Sequence, residues 1–491
     1  MTGLPAPPPR AKVRAPARTE HDAMDDTLKQ RFAAITGPAH ARDDAEALGP
    51  HLREPRGLWS GTAALVLYPG SVEEVSAILK LASGTGTPIV PQGGNTGLVG
   101  GQIPDFSGSA VILSTRRLNR IRELDAESGT ITVEAGVILQ TVQEAAEQAG
   151  LLFPLSLGSQ GSCQIGGNLS SNAGGTGVLA YGNARELCLG VQVVLPTGEV
   201  LDDLRKLKKD NTGYDLKNLF VGAEGTLGII TAAVLKLFPS PKGREVTWIG
   251  LTSPEDALTL LNLAGSVAGS GLTAFELVRD MALDFALRHI PGNAAPLAGP
   301  HDWYVLMEVS SGRSREDARA MLETILEQGF ERGLLQDAAI AESLAQAAAF
   351  WRLRESLSDA QKPAGASIKH DISVPVAKIP EFIRRGAEAV RSVSPSARVV
   401  CFGHMGDGNL HYNISEPEAG DPDFLTLYKP MNKAVHDVVR AMNGSISAEH
   451  GIGQLKRDEL LETAPPVAID LMRRIKAAFD PAGIMNPGKV V

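Results

Sequence analysis

The sequence is short of cysteine and of long apolar runs, and both absences restrict the class of protein. Its 491 residues include 3 cysteines, an odd number scattered as Cys163, Cys188 and Cys401. Such a set is no disulfide framework and is typical of a reducing compartment. No apolar run reaches the roughly 18 residues that a membrane-spanning helix needs. We therefore expect a cytoplasmic protein without a transmembrane segment.

An excess of positive charge is also missing, since the formal net charge is -9. An acidic chain gains no free energy from releasing counterions on nucleic acid, so we expect no nucleic-acid partner. Any anionic ligand must be attracted by a local site rather than by the field of the whole molecule.

The first 19 residues contain no acid and no apolar central region of the kind that a secretory signal needs. Mitochondrial transit peptides share the lack of acids. However, the prolines at positions 5, 7, 8, 9 and 16 prevent the amphipathic helix that such peptides form. We predict a disordered tail over residues 1–22.

The rest of the chain divides by its pattern of apolar runs. The stretch "AALVLYPGSVEEVSAILKLASGTGTPIVPQGG" predicts strand, helix and strand, with Ser71 as the helix N-cap and Glu74 completing a capping box. Longer helical and strand patterns follow from about Glu245. The pattern predicts an α+β domain over 23–242 and a second domain over 243–442, in which helices pack on an antiparallel sheet. A C-terminal segment covers 443–491.

Three glycine-rich loops predict a binding site for a phosphorylated ligand. They are "PQGGNTGLVGG" (91–101), "GSQGSCQIGGNLSSNAGGTG" (158–177) and "GAEGTLGII" (222–230). Adjacent glycines let backbone N–H groups converge on an anion. One such loop is more often a plain turn, but three together favour a long diphosphate ligand. The chain lacks G-x-G-x-x-G after a strand, which disfavours a Rossmann nicotinamide site.

The stretch "CFGHMGDGNLHYNI" (401–414) predicts a hairpin whose two-residue turn is Asp407-Gly408. That turn pairs His404 with His411 and puts Asn413 on the same face, with paired Cβ atoms roughly 4.5–5.5 Å apart. The two histidines could equally be exposed hairpin residues without a ligand. The stretch "SISAEHGIG" (445–453) adds the carboxylate of Glu449. A His/His/carboxylate set with open positions suits a catalytic metal.

These motifs, with "DNTGYDLKNLFVGAEGTLGIIT" and the terminal "NPGK", resemble the FAD-linked oxidoreductases of the vanillyl-alcohol oxidase type, from about Trp59 to Lys489. The resemblance implies an α+β fold with a PCMH-type FAD-binding domain of two subdomains. It also implies an α+β cap domain with an antiparallel sheet, and a C-terminal segment that returns to the flavin and completes the metal site.

The resemblance also implies which residues bind FAD. Carried onto this sequence, the cofactor positions are Pro91, Gly93, Gly94, Asn95, Thr96, Gly97, Gly158, Ser159, Gly161, Ser162, Gly166, Gly167, Asn172, Gly174, Gly175, Glu224, Ile229, Ile230 and Asn486. Relatives that attach the flavin covalently through the first loop have His where this chain has Asn95. We therefore predict non-covalent FAD.

A divalent metal, usually zinc, is implied at His404, His411 and Glu449. The implied substrate-binding residues are Arg354, Ser358, Lys369, Asn413 and His450, and we expect Arg354, Lys369 and His450 to be catalytic. "FWRLRESLSDA" is predicted as a helix that puts Arg354 and Ser358 on one face. The family often has Thr at Ser358, so this chain keeps the hydroxyl and lacks a methyl group there. A lone lysine on a strand, such as Lys369, is ordinarily solvent-facing.

A metal and two fixed cations suit a substrate with two carboxylates. We expect oxidation of a D-2-hydroxy acid, D-2-hydroxyglutarate to 2-oxoglutarate, by hydride transfer from C2 to the flavin N5. His450 is the candidate base, although it could instead support a metal ligand or touch the flavin. The expected electron acceptor is an electron-transfer flavoprotein or a quinone, and a homodimer is compatible with the chain.

Other functions stay open at the level of the sequence. A D-lactate dehydrogenase or a glycolate oxidase subunit shares the fold and many of these motifs. A flavin-free metallohydrolase would use the His/His/Glu set alone. A non-enzymatic flavin-binding protein would use the glycine loops alone.

Overall fold

The computed structural model describes residues 24–418 and 420–491, so the tail predicted over 1–22 lies outside the described residues. The first half of the chain forms short strands and helices around the glycine loops. Their bounds are α1 (Asp26–Thr36), β1 (Ala41–Arg42), α2 (Ala45–Leu48), β2 (Leu65–Leu67), α3 (Val72–Thr85), β3 (Ile89–Gln92), β4 (Val111–Ser114), β5 (Ile121–Asp125), β6 (Thr130–Glu134), α4 (Leu139–Gln148), β7 (Leu151–Leu152), α5 (Ile165–Ser170), α6 (Val178–Tyr181), α7 (Ala184–Leu187), β8 (Cys188–Val194), β9 (Val200–Asp203), α8 (Lys217–Phe220), β10 (Ile229–Lys236) and β11 (Phe238–Pro239).

These elements build two larger sheets, each with its own core, and β7 pairs with β11 in a separate two-stranded sheet. The first sheet has the order β1-β2-β4-β3, with β2, β4 and β3 parallel to one another. The second is antiparallel, with the order β5-β6-β10-β8-β9. The glycine loop 91–101 begins at the carboxyl end of β3, where open sheets commonly bind ligands. All three cysteines are free and buried.

Helix α3 begins as predicted. The Ser71 hydroxyl accepts from the backbone N–H of Glu74 at 3.3 Å. The Glu74 carboxylate reaches the backbone N–H of Gly70 at 2.7 Å, one residue before the N-cap. The predicted exchange at this helix start is therefore present, with its second bond displaced by one residue.

The second half of the chain has longer elements. Their bounds are β12 (Gly243–Leu251), α9 (Pro254–Ala268), β13 (Leu272–Arg279), α10 (Asp280–His289), β14 (Trp303–Ser311), α11 (Arg315–Glu331), β15 (Asp337–Ile340), α12 (Leu344–Glu355), β16 (Ser367–Ile368), β17 (Asp371–Ser373), α13 (Ile379–Val393), β18 (Arg398–His404), β19 (Asn409–Ser415), α14 (Tyr428–Ala441), α15 (Arg457–Thr463) and α16 (Pro466–Phe479).

The strands of this half form one eight-stranded sheet in the order β15-β12-β14-β13-β18-β19-β16, with β17 also paired to β19. Every pairing in it is antiparallel, as predicted. Helices α9, α11, α13 and α14 share a large apolar core with one face of the sheet. Helices α10 and α12 share a smaller core with the other face. Part of that second face is left for polar side chains.

The C-terminal segment returns to the first sheet. The Ile89 N–H donates to the Ile484 carbonyl, and the Asn486 N–H donates to the Ile89 carbonyl, both at 2.8 Å. Ile484 and Met485 are buried in the core of the first sheet. The last residues of the chain therefore extend the sheet that carries the first glycine loop. The boundaries predicted between the four segments of the chain stay predictions.

Within residues 24–418 and 420–491, each helix is too short or too polar to cross a bilayer.

Candidate active site

A cleft lined by all three glycine-rich loops lies between the two sheets of the first half. We call it the flavin cleft, and of the predicted cofactor residues it is lined by Pro91, Gly93, Gly94, Asn95, Thr96, Gly97, Gly166, Gly167, Glu224, Ile229 and Ile230. Residues that the sequence reasoning did not name also line it, and these are Gln92, Val99, Gly101, Gln102, Thr115, Gln164, Asn168, Ser170, Ser171, Gly225 and Gly228. His450 reaches this cleft from the C-terminal segment.

The remaining predicted cofactor residues are absent from the lining of the flavin cleft, which leaves out Gly158, Ser159, Gly161, Ser162, Asn172, Gly174, Gly175 and Asn486. Several of them support it from behind. A Cβ on Gly94 would overlap the Ser162 carbonyl oxygen, so these two loops touch. The Asn486 amide donates to the carbonyls of Gly101 and Glu224, each at 2.9 Å. Gly175 faces Glu449 instead, as described below.

The first glycine loop offers donors without protein acceptors. From Gly93 to Val99, no backbone N–H donates to an acceptor in the described part of the chain. Unpaired N–H groups beside a ligand cleft fit the phosphate oxygens of a dinucleotide. The residues present therefore fit FAD.

Four residues in or beside the cleft have a backbone conformation that L-residues seldom adopt. Asn95, Asn172, Glu224 and Asn486 have φ of 56°, 52°, 52° and 44°. All four belong to the predicted cofactor set. Left-handed non-glycine residues collect at binding sites, because surrounding contacts must fix them there.

The predicted register of the histidine hairpin is wrong by two residues. The structure pairs His411 with Phe402 and Asn413 with Val400, and a four-residue turn, 405–408, replaces the two-residue turn Asp407-Gly408. His404 is therefore diagonal to His411 rather than opposite it. A shift of two leaves each residue on its original face, because side chains alternate with a period of two. The predicted common face of His404, His411 and Asn413 survives for this reason.

Neighbouring strands add two carboxylates to this face. Glu276 on β13 pairs directly with His404, and Asp371 on β17 pairs directly with His411. Directly paired residues share a face of the sheet. Four adjacent strands thus present Glu276, His404, His411 and Asp371 in one row.

The loop 445–453, which we call the catalytic loop, lies against this row. The backbone N–H groups of Glu449 and His450 both donate to Asp371 Oδ2 at 3.0 Å. On the other side, those of Ile452 and Gly453 donate to Glu224 Oε1 and Oε2 at 2.7 and 2.8 Å. The catalytic loop is held between one carboxylate of each half of the molecule.

The three predicted metal ligands come together here. One ligand atom from each of His404, His411 and Glu449 lies within 4.8 Å of the others. His404 Nε2 is 3.5 Å from Glu449 Oε1, and that oxygen also accepts the Gly175 N–H at 2.7 Å. Two imidazoles and one carboxylate are a donor set that suits zinc.

Electrostatics differ between the two histidines. Burial lowers the pKa of His411 to about 3, so its imidazole is neutral at pH 7. Burial also disfavours charge on His404, but the Glu276 carboxylate outweighs burial and raises the pKa of His404 to about 9. His404 Nδ1 lies 2.8 Å from Glu276 Oε1. That contact leaves Nε2 as the atom directed at Glu449.

Arg354 is buried and already paired. Its Nε donates to Glu276 Oε2 at 2.9 Å, and its Nη2 lies 2.6 Å from the same oxygen. The helical face predicted for Arg354 and Ser358 does not form, because α12 ends at Glu355. Ser358 follows in a turn and is exposed. The predicted arrangement of these two residues is wrong.

Lys369 lies between β16 and β17 and is half-buried. Its only hydrogen bond among the described residues is a long one, from Nζ to Gln361 Oε1 at 3.5 Å. Burial, then the positive charges of Arg56 and Lys362, lower the pKa of Lys369 to about 8. Asn413 is buried, and its Oδ1 accepts the His370 N–H at 3.1 Å. This bond helps to fix the backbone beside Lys369.

His450 connects the two parts of the site. Its Nδ1 lies 3.2 Å from Asp371 Oδ2, and its ring stacks on His411 with centroids 6.2 Å apart. Burial alone would raise the pKa of Asp371, but its neighbours, His450 and then Lys456, hold it well below its ordinary value. An ionised Asp371 favours the His450 tautomer with hydrogen on Nδ1, which leaves the Nε2 lone pair free.

The sequence reasoning missed Glu276 and gave Asp371 no role. A signal for Glu276 was available, because it is the one charged residue within the apolar run of "TAFELV". A buried acid in a strand needs partners. Those partners come from β18 and α12, at positions far away in sequence, so they could not be named without the sheet order.

Two protein families match this chain. The family described as "FAD linked oxidases, C-terminal domain" matches residues 240–490, and the family described as "FAD binding domain" matches residues 63–203.

Similar proteins from plants and bacteria are D-2-hydroxyglutarate dehydrogenases. The mitochondrial enzyme of Arabidopsis thaliana is 38% identical over 471 residues, which cover 96% of this chain and 82% of that protein. That of Xanthomonas citri pv. viticola is 39% identical over 435 residues, covering 88% of this chain and 90% of its own length. That of Stutzerimonas stutzeri is 36% identical, covering 95% and 99%.

Solved structures share the fold. P-cresol methylhydroxylase with substrate bound superposes with a TM-score of 0.75 at 15% identity, covering 96% of this chain and 97% of that one. An alkyldihydroxyacetonephosphate synthase gives a TM-score of 0.71 at 18% identity, covering 97% and 87%. The predicted fold class, a two-subdomain FAD domain with a cap built on an antiparallel sheet, is confirmed.

Proposed function

Because the chain belongs to the family of FAD-linked oxidases that includes D-2-hydroxyglutarate dehydrogenases, we propose that it oxidises D-2-hydroxyglutarate to 2-oxoglutarate. The observation that carries the proposal is the position of His450. This residue lines the flavin cleft, and it also lies beside the three candidate metal ligands through Asp371 and His411. His450 is therefore adjacent both to the cleft for the cofactor and to the candidate metal ligands.

The oxidation removes a hydride from C2 and a proton from the C2 hydroxyl. FAD, when bound in the flavin cleft, supplies the hydride acceptor. His450 Nε2 takes the hydroxyl proton, because Asp371 holds Nδ1 and stabilises the imidazolium that forms. Asp371 also fixes the backbone of the catalytic loop, so the base stays in place during transfer.

His404, His411 and Glu449 would hold a divalent ion, zinc by the chemistry of the donor set. Such an ion would supply Lewis-acid chemistry, which lowers the pKa of a hydroxyl held beside it. Within the chain, the Gly175 N–H holds Glu449 Oε1, which lies 3.5 Å from His404 Nε2.

Lys369 is the side chain that we assign to the second carboxylate of the substrate. Arg354 is neutralised by Glu276 within the protein, whereas no carboxylate pairs with Lys369 among the described residues. A half-buried cation without a counterion favours an anionic ligand. This arrangement favours a dicarboxylate over D-lactate or glycolate.

Asn95 donates its side-chain amide to the carbonyls of Pro50 and Arg53 at 2.8 and 3.0 Å. An amide has no nucleophile for a flavin bond, so FAD is held without a covalent link and leaves the protein on acid precipitation. We further propose an electron-transfer flavoprotein or a quinone as electron acceptor. A cytoplasmic location and a homodimer stay predictions.

The test is anaerobic reduction of the bound flavin by a panel of D- and L-2-hydroxy acids, before and after treatment with a chelator. D-2-hydroxyglutarate should bleach the flavin, its L-enantiomer should not, and chelation should stop the reaction until metal is restored. Bleaching by D-lactate but not by D-2-hydroxyglutarate would contradict the substrate. Full activity after chelation, in protein shown to be metal-free, would contradict the metal site alone.

A further inference from the structure

A buried carboxylate joins two groups of the site that the sequence separates by 50 residues. Glu276 lies on β13 with about 1% of its surface exposed. Its Oε1 faces His404 Nδ1 at 2.8 Å, and its Oε2 faces Arg354 Nε and Nη2 at 2.9 and 2.6 Å. Each oxygen has its own partner, so the carboxylate fits between them in one orientation.

We propose that Glu276 is a positioning residue of the metal site. It orients His404, and it pairs with Arg354 so that the guanidinium does not approach the metal. The inference rests on the metal site proposed above. Glu276 itself does not line the flavin cleft.

The contact with Glu276 fixes the tautomer of His404. A carboxylate can only accept, so His404 Nδ1 carries the hydrogen and Nε2 is the nitrogen that faces Glu449. Histidine ligands of metals characteristically donate their other ring N–H to a carboxylate or carbonyl, which fixes the ring and raises its basicity. Glu276 meets that description for His404.

Glu276 also pairs with Arg354. A guanidinium is always charged and would repel a cation at the neighbouring ligands. Two of its nitrogens contact Glu276 Oε2, and its charged group lies over the Phe402 ring, 5.2 Å from the centroid. The arginine is thereby neutralised and immobilised. Without Glu276, a buried positive charge would lie unpaired beside the proposed metal.

The test uses the FAD-loaded, metal-stripped protein and Zn²⁺ alone, titrated in competition with a colorimetric chelator. Glu276→Gln keeps the size of the side chain but removes its charge and its fixed acceptor role. We expect the Kd for Zn²⁺ to rise about 10–100-fold, with the flavin content unchanged. Adding Zn²⁺ in excess should restore part of the turnover.

The matched control is Glu245→Gln. Glu245 is another buried acid of the same sheet, about 2% exposed, and its carboxylate pairs with Arg315 at 2.6 Å and Arg319 at 3.4 Å. It contacts two arginines but no histidine. Its substitution should lower thermal stability without changing the affinity for Zn²⁺ or giving a zinc-dependent recovery.

If Glu276→Gln does not fold, the same Zn²⁺ titration is made with Glu276→Asp. The shorter acid keeps the charge but withdraws it from His404, so its Zn²⁺ affinity should be reduced relative to the wild type. Wild-type affinity in a folded Glu276 variant would overturn the inference alone. A wild-type protein that binds no divalent ion would overturn the proposed metal site together with the inference.

Discussion

Arg354 and Lys369 are both cationic side chains of the candidate site, but they differ in their partners within the protein. Arg354 is buried and paired with Glu276, whereas the ammonium group of Lys369 has one long contact with an amide oxygen. A cation that is already neutralised gains little from a second anion. At the scale of the residue, we therefore expect Lys369 to contribute more to substrate affinity than Arg354.

Lys369→Met removes the ammonium group but keeps most of the apolar side chain. A hydrogen bond to a charged group contributes about 1.5–3 kcal/mol, so kcat/KM for D-2-hydroxyglutarate should fall about 10–100-fold. The fall for D-lactate, which has no second carboxylate, should be much smaller. Lys362→Met is the control, because Lys362 is nearby, exposed and paired with Asp359. Equal losses for both substrates would contradict the assignment.

Because Lys369 is titratable, we expect kcat/KM to depend on pH. Its pKa in the free enzyme is about 8, and the cation is lost as the pH rises through that value. Because kcat/KM reports the ionisation of the free enzyme, its value for the dicarboxylate should decline above about pH 8. The Lys369→Met variant should lack this decline, and a decline that persists in it would assign the titration to another group.

At the scale of the element, the first glycine loop depends on close contact between backbones. Gly94→Ala should abolish retention of FAD, because a Cβ there would overlap the Ser162 carbonyl oxygen, which is backbone and cannot move away alone. The measurement is the ratio of flavin to protein absorbance after gel filtration. Gly84→Ala is the control, since a Cβ on Gly84, within α3, meets nothing within 4 Å. It should stabilise the helix by about 0.5–1 kcal/mol.

The elements also show what the sequence could and could not predict. The start of α3, the antiparallel sheet and the common face of His404 and His411 depend on local chemistry and on the period of two, and these predictions are confirmed. The predicted two-residue length of the hairpin turn was wrong, because four residues can connect these strands as well as two. The contacts of Glu276 depend on which elements are neighbours, and local patterns do not contain that information.

At the scale of the whole molecule, the C-terminal segment ties together parts of the chain that lie far apart. Asn486 is buried, and its amide donates to carbonyls of the first and third glycine loops. Lys476 on α16 donates to the carbonyls of Thr226 and Met485, each at 2.7 Å. The last residues therefore stabilise the glycine loops that line the flavin cleft.

Asn486→Asp replaces the donating amide by a carboxylate that faces two carbonyl oxygens. We expect the variant to release FAD during dilution and to lose several degrees in Tm, because a buried charge without a donor is costly. Asn443→Asp is the control, since Asn443 also has a left-handed backbone, with φ of 57°, but is exposed. Equal flavin retention in both variants would contradict the role of Asn486.

The catalytic loop is fastened at one end to Asp371 and at the other to Glu224, which belong to different halves of the molecule. The loop therefore connects the two halves through hydrogen bonds at both of its ends. If the halves separate, the loop must break contact with one carboxylate or stretch, and either event displaces Glu449 and His450. Separation of the halves would therefore displace the candidate metal ligand Glu449 and the proposed base His450 together.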